Sequence, residues 1–524
     1  MLSGYTGSLD FKNTVQNSRE RAITGQLNMV KLYNKIKFLK EINTPPRPQA
    51  RPTSKPDTVR ATPQWVKNFF RMLMMVRSVN ATYSVSEGTL LPGFDPTPRF
   101  LGMDRQWNAP GWDFILGSQN PDIRRNAADN GWLTRNPLLT TPFTQNVSRN
   151  ISGRATIEPS NDLKIQLDFK KDIMDSYQEI FRFDNLQNDY VSLNPSRSGS
   201  YRISTIAIKT AFRSDNNDLV SSAFREFEQK LDPVMQRFRT ITGNEYDTIG
   251  QDVLIPAFVA AYTGKDVNKM NLSPFQRTPL PNWRIDYTGL NKIKALQNVF
   301  QSVTISHAYS ASYSVMNFSN SLQYTGPDTL GVNIPLERYN NGFFARPNAN
   351  GQIVPIYIIS QVMISEQFAP LIGINLRTRT RFTARAEYKT KRDLALNISN
   401  AQVTEMNTKD FSLEIGYTKN NMKLPFKIEG RTTVLKNDVT FRMNLTVSDQ
   451  STIQRKINDQ NILTNGNINF QLRPNISYVV NQRFNIQAVL CGTGVQRFPC
   501  CGLPLPVRLQ SCGTRRPSCP WYRG

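Results

Sequence analysis

Alternation with a period of two dominates the chain. Val439, Phe441, Met443, Leu445 and Val447 are apolar, and Thr440, Arg442, Asn444, Thr446 and Ser448 between them are polar. Ile468, Phe470, Leu472, Ile476, Tyr478 and Val480 share one parity against Asn469, Gln471, Arg473, Asn475 and Ser477. Val303, Ile305, Tyr309, Tyr313 and Val315 oppose a run of Ser and Thr, and shorter examples occupy 79–85, 147–157, 163–170, 201–212, 411–417 and 424–434. A strand points successive side chains to opposite faces, so each segment predicts a strand with one greasy and one wet side, about twelve in all.

Strands of this kind fit either a soluble sandwich or a membrane barrel. Soluble strands average about 5–6 residues, whereas a tilted membrane strand takes about 9–11. Several of these segments are of the longer kind, and a face of Ser, Thr, Asn, Gln and Arg suits a watery lumen better than a packed interior. Backbone groups in lipid must be satisfied internally, which forces closure. The expected fold is all-β membrane: an antiparallel transmembrane β-barrel with long loops and a few helical insertions.

Breaks in the alternation divide the chain. Residues 1–77 read as a helical and linker segment, periplasmic or lumenal, with helices at 27–42 and 63–76 flanking a proline-rich linker at 44–63. Barrel strands are expected over 78–490, interrupted by insertions at 87–145 and 214–301 that exceed ordinary loops. Within the second, Phe224, Phe227, Leu231 and Phe238 sit at helical spacing over 222–240, with Pro233 bending the helix or opening a new one. The last segment, 491–524, holds all five cysteines and no Lys, Asp or Glu. That compositional break reads as a frameshifted or foreign tail.

The 524 residues carry 64 Lys+Arg against 40 Asp+Glu, a net charge of +24, and a mean hydropathy of −0.45. No apolar run approaches the roughly 20 residues of a membrane helix. A pI near 9.9 suggests nucleic acid first, but here the charge is threaded through the strands, so no nucleic-acid partner is expected. Arg377, Arg379, Arg381 and Arg385 fall on one parity of 376–388, with Thr383 and Glu387, against Phe382, Ala384, Ala386 and Tyr388. A cation on the lipid face costs about 2–4 kcal/mol near the midplane. These four, with Arg431, Arg442 and Arg473, are therefore expected to line the lumen, while Val439, Phe441, Met443, Leu445 and Val447 face lipid. Whether the basic lining attracts acidic cargo or is balanced by acids on other strands stays open. His307, the only histidine, lies on an apolar parity and reads as a packed residue. No nucleophile–base set, metal cluster or glycine-rich phosphate loop stands out, so no catalytic, cofactor-binding or metal residue is expected.

The segments between strands carry a resemblance. Ser86-Glu-Gly-Thr-Leu-Leu-Pro-Gly-Phe-Asp-Pro-Thr-Pro-Arg-Phe-Leu-Gly102, the Gly111-Trp-Asp-Phe stretch, Asp252-Val-Leu-Ile-Pro-Ala-Phe-Val-Ala-Ala-Tyr-Thr-Gly-Lys-Asp266, Pro281-Asn-Trp-Arg-Ile-Asp-Tyr287 and Asn475-Ile-Ser-Tyr-Val-Val-Asn-Gln-Arg-Phe484 together resemble the C-terminal part of the SprA/Sov family. That family is the gliding-motility and type IX secretion translocon of Bacteroidota, and the similarity runs from the N-terminus to about Ala488. It implies residence in the outer membrane, with this chain supplying the last third of a single-chain barrel. A count of about 36 strands, the largest known for such barrels, belongs to that implication and not to the periodicity. The resemblance also implies folded cargo bearing a C-terminal secretion domain, a PorV-type partner barrel, a periplasmic plug protein and no cofactor. The insertion at 87–145 becomes a candidate extracellular cap or lateral-gate region. The family's closing strand, ending in an aromatic residue, is expected where 491–524 stands instead. A smaller-solute porin or substrate-specific transporter, and a surface β-rich adhesin, are the alternatives that share the alternating strands.

Overall fold

The computed structural model describes residues 4–8, 11–43, 65, 69–70, 73–213, 220–323, 345–347, 351–428, 431–435, 437–457, 459–481, 484–497 and 508–511. In chain order the strands are β1 (Gly4–Ser8), β2 (Lys12–Asn28), β3 (Val76–Phe94), β4 (Phe143–Ser160), β5 (Leu163–Asp184), β6 (Asp189–Ser204), β7 (Asn282–Tyr287), β8 (Phe300–Asn320), β9 (Ala345–Pro347), β10 (Ile353–Pro355), β11 (Tyr357–Thr378), β12 (Phe382–Asn397), β13 (Gln402–Lys419), β14 (Met422–Ile428), β15 (Arg431–Leu435), β16 (Val439–Lys456), β17 (Ile462–Asn481), β18 (Phe484–Val489), β19 (Gly492–Arg497) and β20 (Arg508–Ser511). Sixteen of them form one antiparallel sheet in which spatial order follows chain order; β9–β10 and β14–β15 are separate pairs. Among the described residues no helix is long and apolar enough to cross a membrane.

Several boundaries differ from the sequence reading, each for a local reason. β2 lies in the sheet, inside the segment expected to be helix and linker; its alternation is diluted by Asn17, Arg19, Arg21 and Gly25 between Val15, Ile23 and Leu27. Two short helices, α1 (Met29–Tyr33) and α2 (Lys37–Asn43), follow it, and α3 (Trp112–Ile115) and α4 (Ile123–Asp129) lie between β3 and β4. The linker at 44–63 lies outside the described residues, as does most of the helix expected at 63–76. The strand expected over 376–388 is a hairpin: β11 ends at Thr378 and β12 starts at Phe382, with Arg381 in the turn at φ 62°. The strand expected over 424–434 is the small β14–β15 pair outside the sheet. Strands also run longer than alternation suggests, 22 residues in β5 and β11. The first insertion consequently shrinks to 95–142; the second runs over 205–281, starting earlier than expected because the strand expected over 201–212 ends at Ser204, and ending earlier because β7 and β8 begin before 301.

At the other end β18 and β19 follow one register along β17, Asn475 pairing with Val489 and Leu472 with Gly492. The ladder is interrupted opposite Pro474, which has no N–H to give, although its carbonyl accepts from the Leu490 amide, and its register shifts once more between Val479 and Asn481. Cys491 is a free thiol there; the other cysteines lie outside the described residues.

The insertion at 205–281 is built on α5 (Ser222–Thr242) and α6 (Gln251–Thr263). Ser221 caps α5 by accepting from the Phe224 amide, and Gly243 ends it in the left-handed conformation at φ 74°, where a side chain would be strained. Phe224, Phe227, Leu231, Val234 and Phe238 form the buried stripe that the spacing predicts, and the helix runs on through Pro233. Every residue of α6 from Val253 to Thr263 is buried, as expected of a segment apolar all round. The two helices share one core with Tyr313, Val315, Val362, Ile364, Leu394, Leu396 and Val403 of the sheet.

Asp252, in the first turn of α6, lines a hollow with Glu245, Tyr246 and Asp247, and burial pushes its carboxyl pKa up to about 7. The folded chain then holds a proton that the unfolded chain has released between about pH 4 and pH 7. Stability of the insertion should fall as pH rises through that window, by about 4 kcal/mol at most. Hydrogen exchange of the α6 amides, corrected for intrinsic rates, should show this loss, and Asp252→Asn should abolish it.

Candidate functional site

The two faces of the sheet are the candidate site. Backbone pairing aligns side chains across strands into rows, and successive rows on one face are two residues, about 6.8 Å, apart. On β12, β13, β16 and β17 one row reads Tyr388, Phe411, Val447, Phe470. The next reads Ala386, Leu413, Leu445, Leu472, the next Ala384, Ile415, Met443, Pro474, and the last Phe382, Tyr417, Phe441, Ile476. Ile372, Ile374 and Leu376 of β11 continue it. The band is aliphatic in its middle and aromatic at both margins, and Tyr388, Phe411, Tyr417, Phe470, Ile372 and Ile476 are exposed.

The band continues through the earlier strands without changing face. Ile23, Tyr83 and Ile151 form one row, Leu27, Val79, Ala155 and Leu167 another, and Ile157 and Ile165 a third. Gly153 pairs with Phe169, whose ring lies where a Cβ would stand. β7 and β8 add Ile285, Tyr287, Ile305 and Val303, and here His307 packs: its Nδ1 lies 2.7 Å from the Leu371 carbonyl oxygen and its ring lies beside Phe368. All five residues expected on the apolar side, Val439 to Val447, share this face.

The other face is polar. Arg377, Thr383, Gly416, Arg442 and Asn475 make one row, and Asn375, Arg385, Glu414, Asn444 and Arg473 the next. Of the seven arginines expected together, the sheet therefore unites Arg377, Arg385, Arg442 and Arg473. It does not unite the rest. Arg379 and Arg381 sit in the β11–β12 turn, where Arg381 donates to Asn420, and Arg431 belongs to β14–β15, its side chain outside the described residues. The cations have local acids: Arg385 and Lys389 both engage Glu387, and Lys391 engages Asp393. Serines 86, 148, 176, 198, 319 and 360, from six strands, line one hollow of about 890 Å³ with Ser18 of β2. Residues from β2 and β11 can share a hollow only if the sheet curls toward its polar side.

Both insertions pack on the apolar face, beyond the bare band. The 95–142 segment buries Phe114, Leu133 and Ile123 against Val15, Leu91, Phe94, Phe143 and Tyr177. It is tied to the row Asn17, Thr89, Gln145: Asn17 Nδ2 donates to the carbonyls of Phe114 and Ser118 at 2.8 Å, and Thr89 Oγ1 donates to Gln119 at 2.7 Å. The polar residues of that row, standing in the apolar parity, are the trace in the sequence that a strand changes from bare to covered without changing face.

The second insertion is held by a buried charged cluster that alternation does not reveal. Arg392 on β12 donates from Nη1 to the Thr210 carbonyl and from Nη2 to Thr210 Oγ1 and Glu366 Oε2, all at 2.8 Å. Tyr309 donates to Glu366 Oε1 and accepts from the Ala207 amide, both at 2.8 Å, and Thr210 donates to the Tyr262 carbonyl at the end of α6. Glu366 and Arg392 fall in one row, two charges in an apolar parity, and that mismatch is the signal that could have marked the cluster. Alongside, Arg455, fully buried, donates from Nε to Glu405 at 3.0 Å. Compared with known proteins, the chain matches no family model and no curated protein.

Arg392→Met leaves Glu366 buried without its cation and should cost about 3–5 kcal/mol. Glu366→Leu together with Arg392→Met should recover most of that loss. Urea titration read by protease cleavage within 205–281 separates the two outcomes.

Proposed function

We propose that this chain forms part of the wall of an outer-membrane β-barrel that conducts folded proteins, of the kind found in the SprA/Sov translocons of type IX secretion and gliding motility. The observation that carries the reading is the bare apolar band. It keeps one face of the sheet over the strands from β2 to β17, is bounded by aromatic residues over β12–β17, and backs onto a face rich in Ser, Asn and Arg that curls inward. Four rows span about 20 Å along the strands, close to the roughly 25 Å apolar height of an outer-membrane barrel. A soluble sheet would cover such a band with a second layer; both insertions of this chain stop short of it.

In this reading the band meets lipid, the polar face meets the lumen, and the barrel is completed by further strands. The chain's part in transport is passive: it holds open a wide, wet passage whose mixed charges and many hydroxyls give a passing protein nothing greasy to adhere to. Cargo with C-terminal secretion domains, a PorV-type barrel and a periplasmic plug are the partners that go with it. The sequence resemblance supports the protein-conducting version over a small-solute porin.

Three experiments test this. With the native cysteines replaced by serine, a cysteine introduced at Arg442 should react with a membrane-impermeant maleimide in isolated envelopes, and one at Phe441 should be protected; equal reactivity removes the lipid-facing wall. Leu445→Arg should lower the yield of urea-resistant, membrane-inserted protein by the equivalent of about 2–4 kcal/mol, while Asn444→Arg stays within about 0.5 kcal/mol. For the cargo, depletion in the producing cell should strand proteins bearing C-terminal secretion domains in the periplasm, and their continued surface display would defeat the assignment.

A further inference from the structure

Between the bare band and the 95–142 insertion, on the same face, lie two rows unlike either neighbour. The row next to the band is Arg21, Val85, Arg149, and the row above it is Arg19, Glu87, Val147. Arg19 and Arg21 both reach Glu87, at 3.0 and 2.9 Å, so the three guanidinium groups of these rows have one carboxylate among them. Asp175, next along the upper row on β5, is taken by Arg197. Val85 is only 4 % exposed although no insertion residue joins it in a hydrophobic cluster, as expected if the arginine stems on either side lie over it. A positive shelf therefore runs along the upper edge of the apolar band.

Above the shelf the insertion presents an aromatic platform. Phe100, Trp107 and Trp112 are 68 %, 46 % and 47 % exposed; Trp107 stacks on Trp112 at 5.6 Å and Phe100 meets Trp107 edge-on at 5.9 Å. Leu101 and Trp107 hold φ at 53° and 59°, conformations that bulky residues rarely adopt. The surroundings thus hold apolar side chains outward at a cost in backbone strain. Phe114 to Ser118, which follow Trp112 directly, make the hydrogen bonds to the Asn17 row, bringing the platform's own helical turn to the part of the insertion nearest the shelf.

We propose that the shelf and platform together bind the phosphorylated headgroup of an outer-leaflet lipid. This rests on the membrane-wall reading above. Acyl chains lie along Ile23, Tyr83 and Ile151, the phosphate meets Arg21 and Arg149, and the indoles of Trp107 and Trp112 sit at headgroup depth, where an apolar ring with one polar N–H is most stable. The charge excess on the shelf selects a phosphate-bearing lipid over a neutral one, and continuity with the band selects a lipid over a soluble anion. Guanidinium forks suit phosphate because they donate two parallel bonds to its oxygens.

The test uses the full chain in phosphatidylcholine nanodiscs, with bound lipid read by native mass spectrometry. Diphosphorylated lipid A should be retained at least tenfold better than the same lipid stripped of its phosphates, and Arg21→Gln with Arg149→Gln should remove that preference, whereas Arg442→Gln on the opposite face should keep it. Equal retention of the two lipids, competition by inorganic phosphate at equal concentration, or an unchanged preference in the double variant each overturns the site. A photocrosslinker in place of Trp112 should capture lipid in native envelopes; capture of polypeptide alone overturns the lipid assignment. Maleimide protection at Phe441 is measured on the same nanodiscs: protection with no lipid preference defeats only this site, and loss of protection defeats the wall reading with it.

Discussion

Everything in this fold depends on the hydrogen-bond register that fixes which side of the sheet each residue faces. A slip of one residue in any strand would exchange its faces, carrying Arg442 or Arg385 onto the apolar side and leaving a leucine on the polar one. Across the pairings from β2 to β17 the irregularities that do occur, such as the break in register of β11 at 369–371, leave the band on one face on either side. The apolar band is a property of the whole ladder and of no single strand.

The same face serves two solvents in succession. Over the lower rows it is bare; over the upper rows it is the floor of two insertions whose cores are ordinary protein interior. The transition is marked by charge: Arg19, Arg21 and Glu87 under one insertion, Glu366 and Arg392 under the other. The first group is open to solvent and the second is sealed by Thr210 and Tyr309, so the first suits a ligand and the second a joint. A buried ion pair is not in itself stabilising. Here its value is that the donors and acceptors of 207–210 find their partners only in one seating of the insertion on the wall.

How much is legible in the sequence follows from what a strand's two faces contrast with. Where one side is lipid-like and the other wet, as in 439–448, alternation locates the strand and both faces. Where the apolar side is floor beneath an insertion, as at Asn17, Thr89 and Gln145, polar residues enter the apolar parity and the pattern fades. For that reason β2 resembles linker in the sequence, β5 extends past its expected end, and most of β11 goes unread. The charged run at 376–388 misleads for a different reason. A three-residue turn between β11 and β12 keeps the parity count unbroken, so Arg377 and Arg385 share a face as expected although a turn, and not a strand, joins them. The helix 222–240 is legible because four apolar residues at helical spacing need no partner to declare themselves. The Glu366–Arg392 joint is not, since its residues are far apart in the chain.

The path of β6 into β7 bears on how such a wall comes into being. Upper β5 pairs with β6 and lower β5 with β7, so the two are halves of one column, cut at Ser204 and resumed at Asn282, with the Leu280 amide donating to the Ser204 carbonyl across the cut. A random coil of 205–281 would seldom bring its ends that close, and the entropy of doing so opposes pairing. Compaction of α5 and α6 removes the obstacle, since local helical contacts form before distant strand pairs. The helical unit then acts as a chaperone in cis for the sheet. Its damage would be felt first as a seam in the column of strands on which it packs.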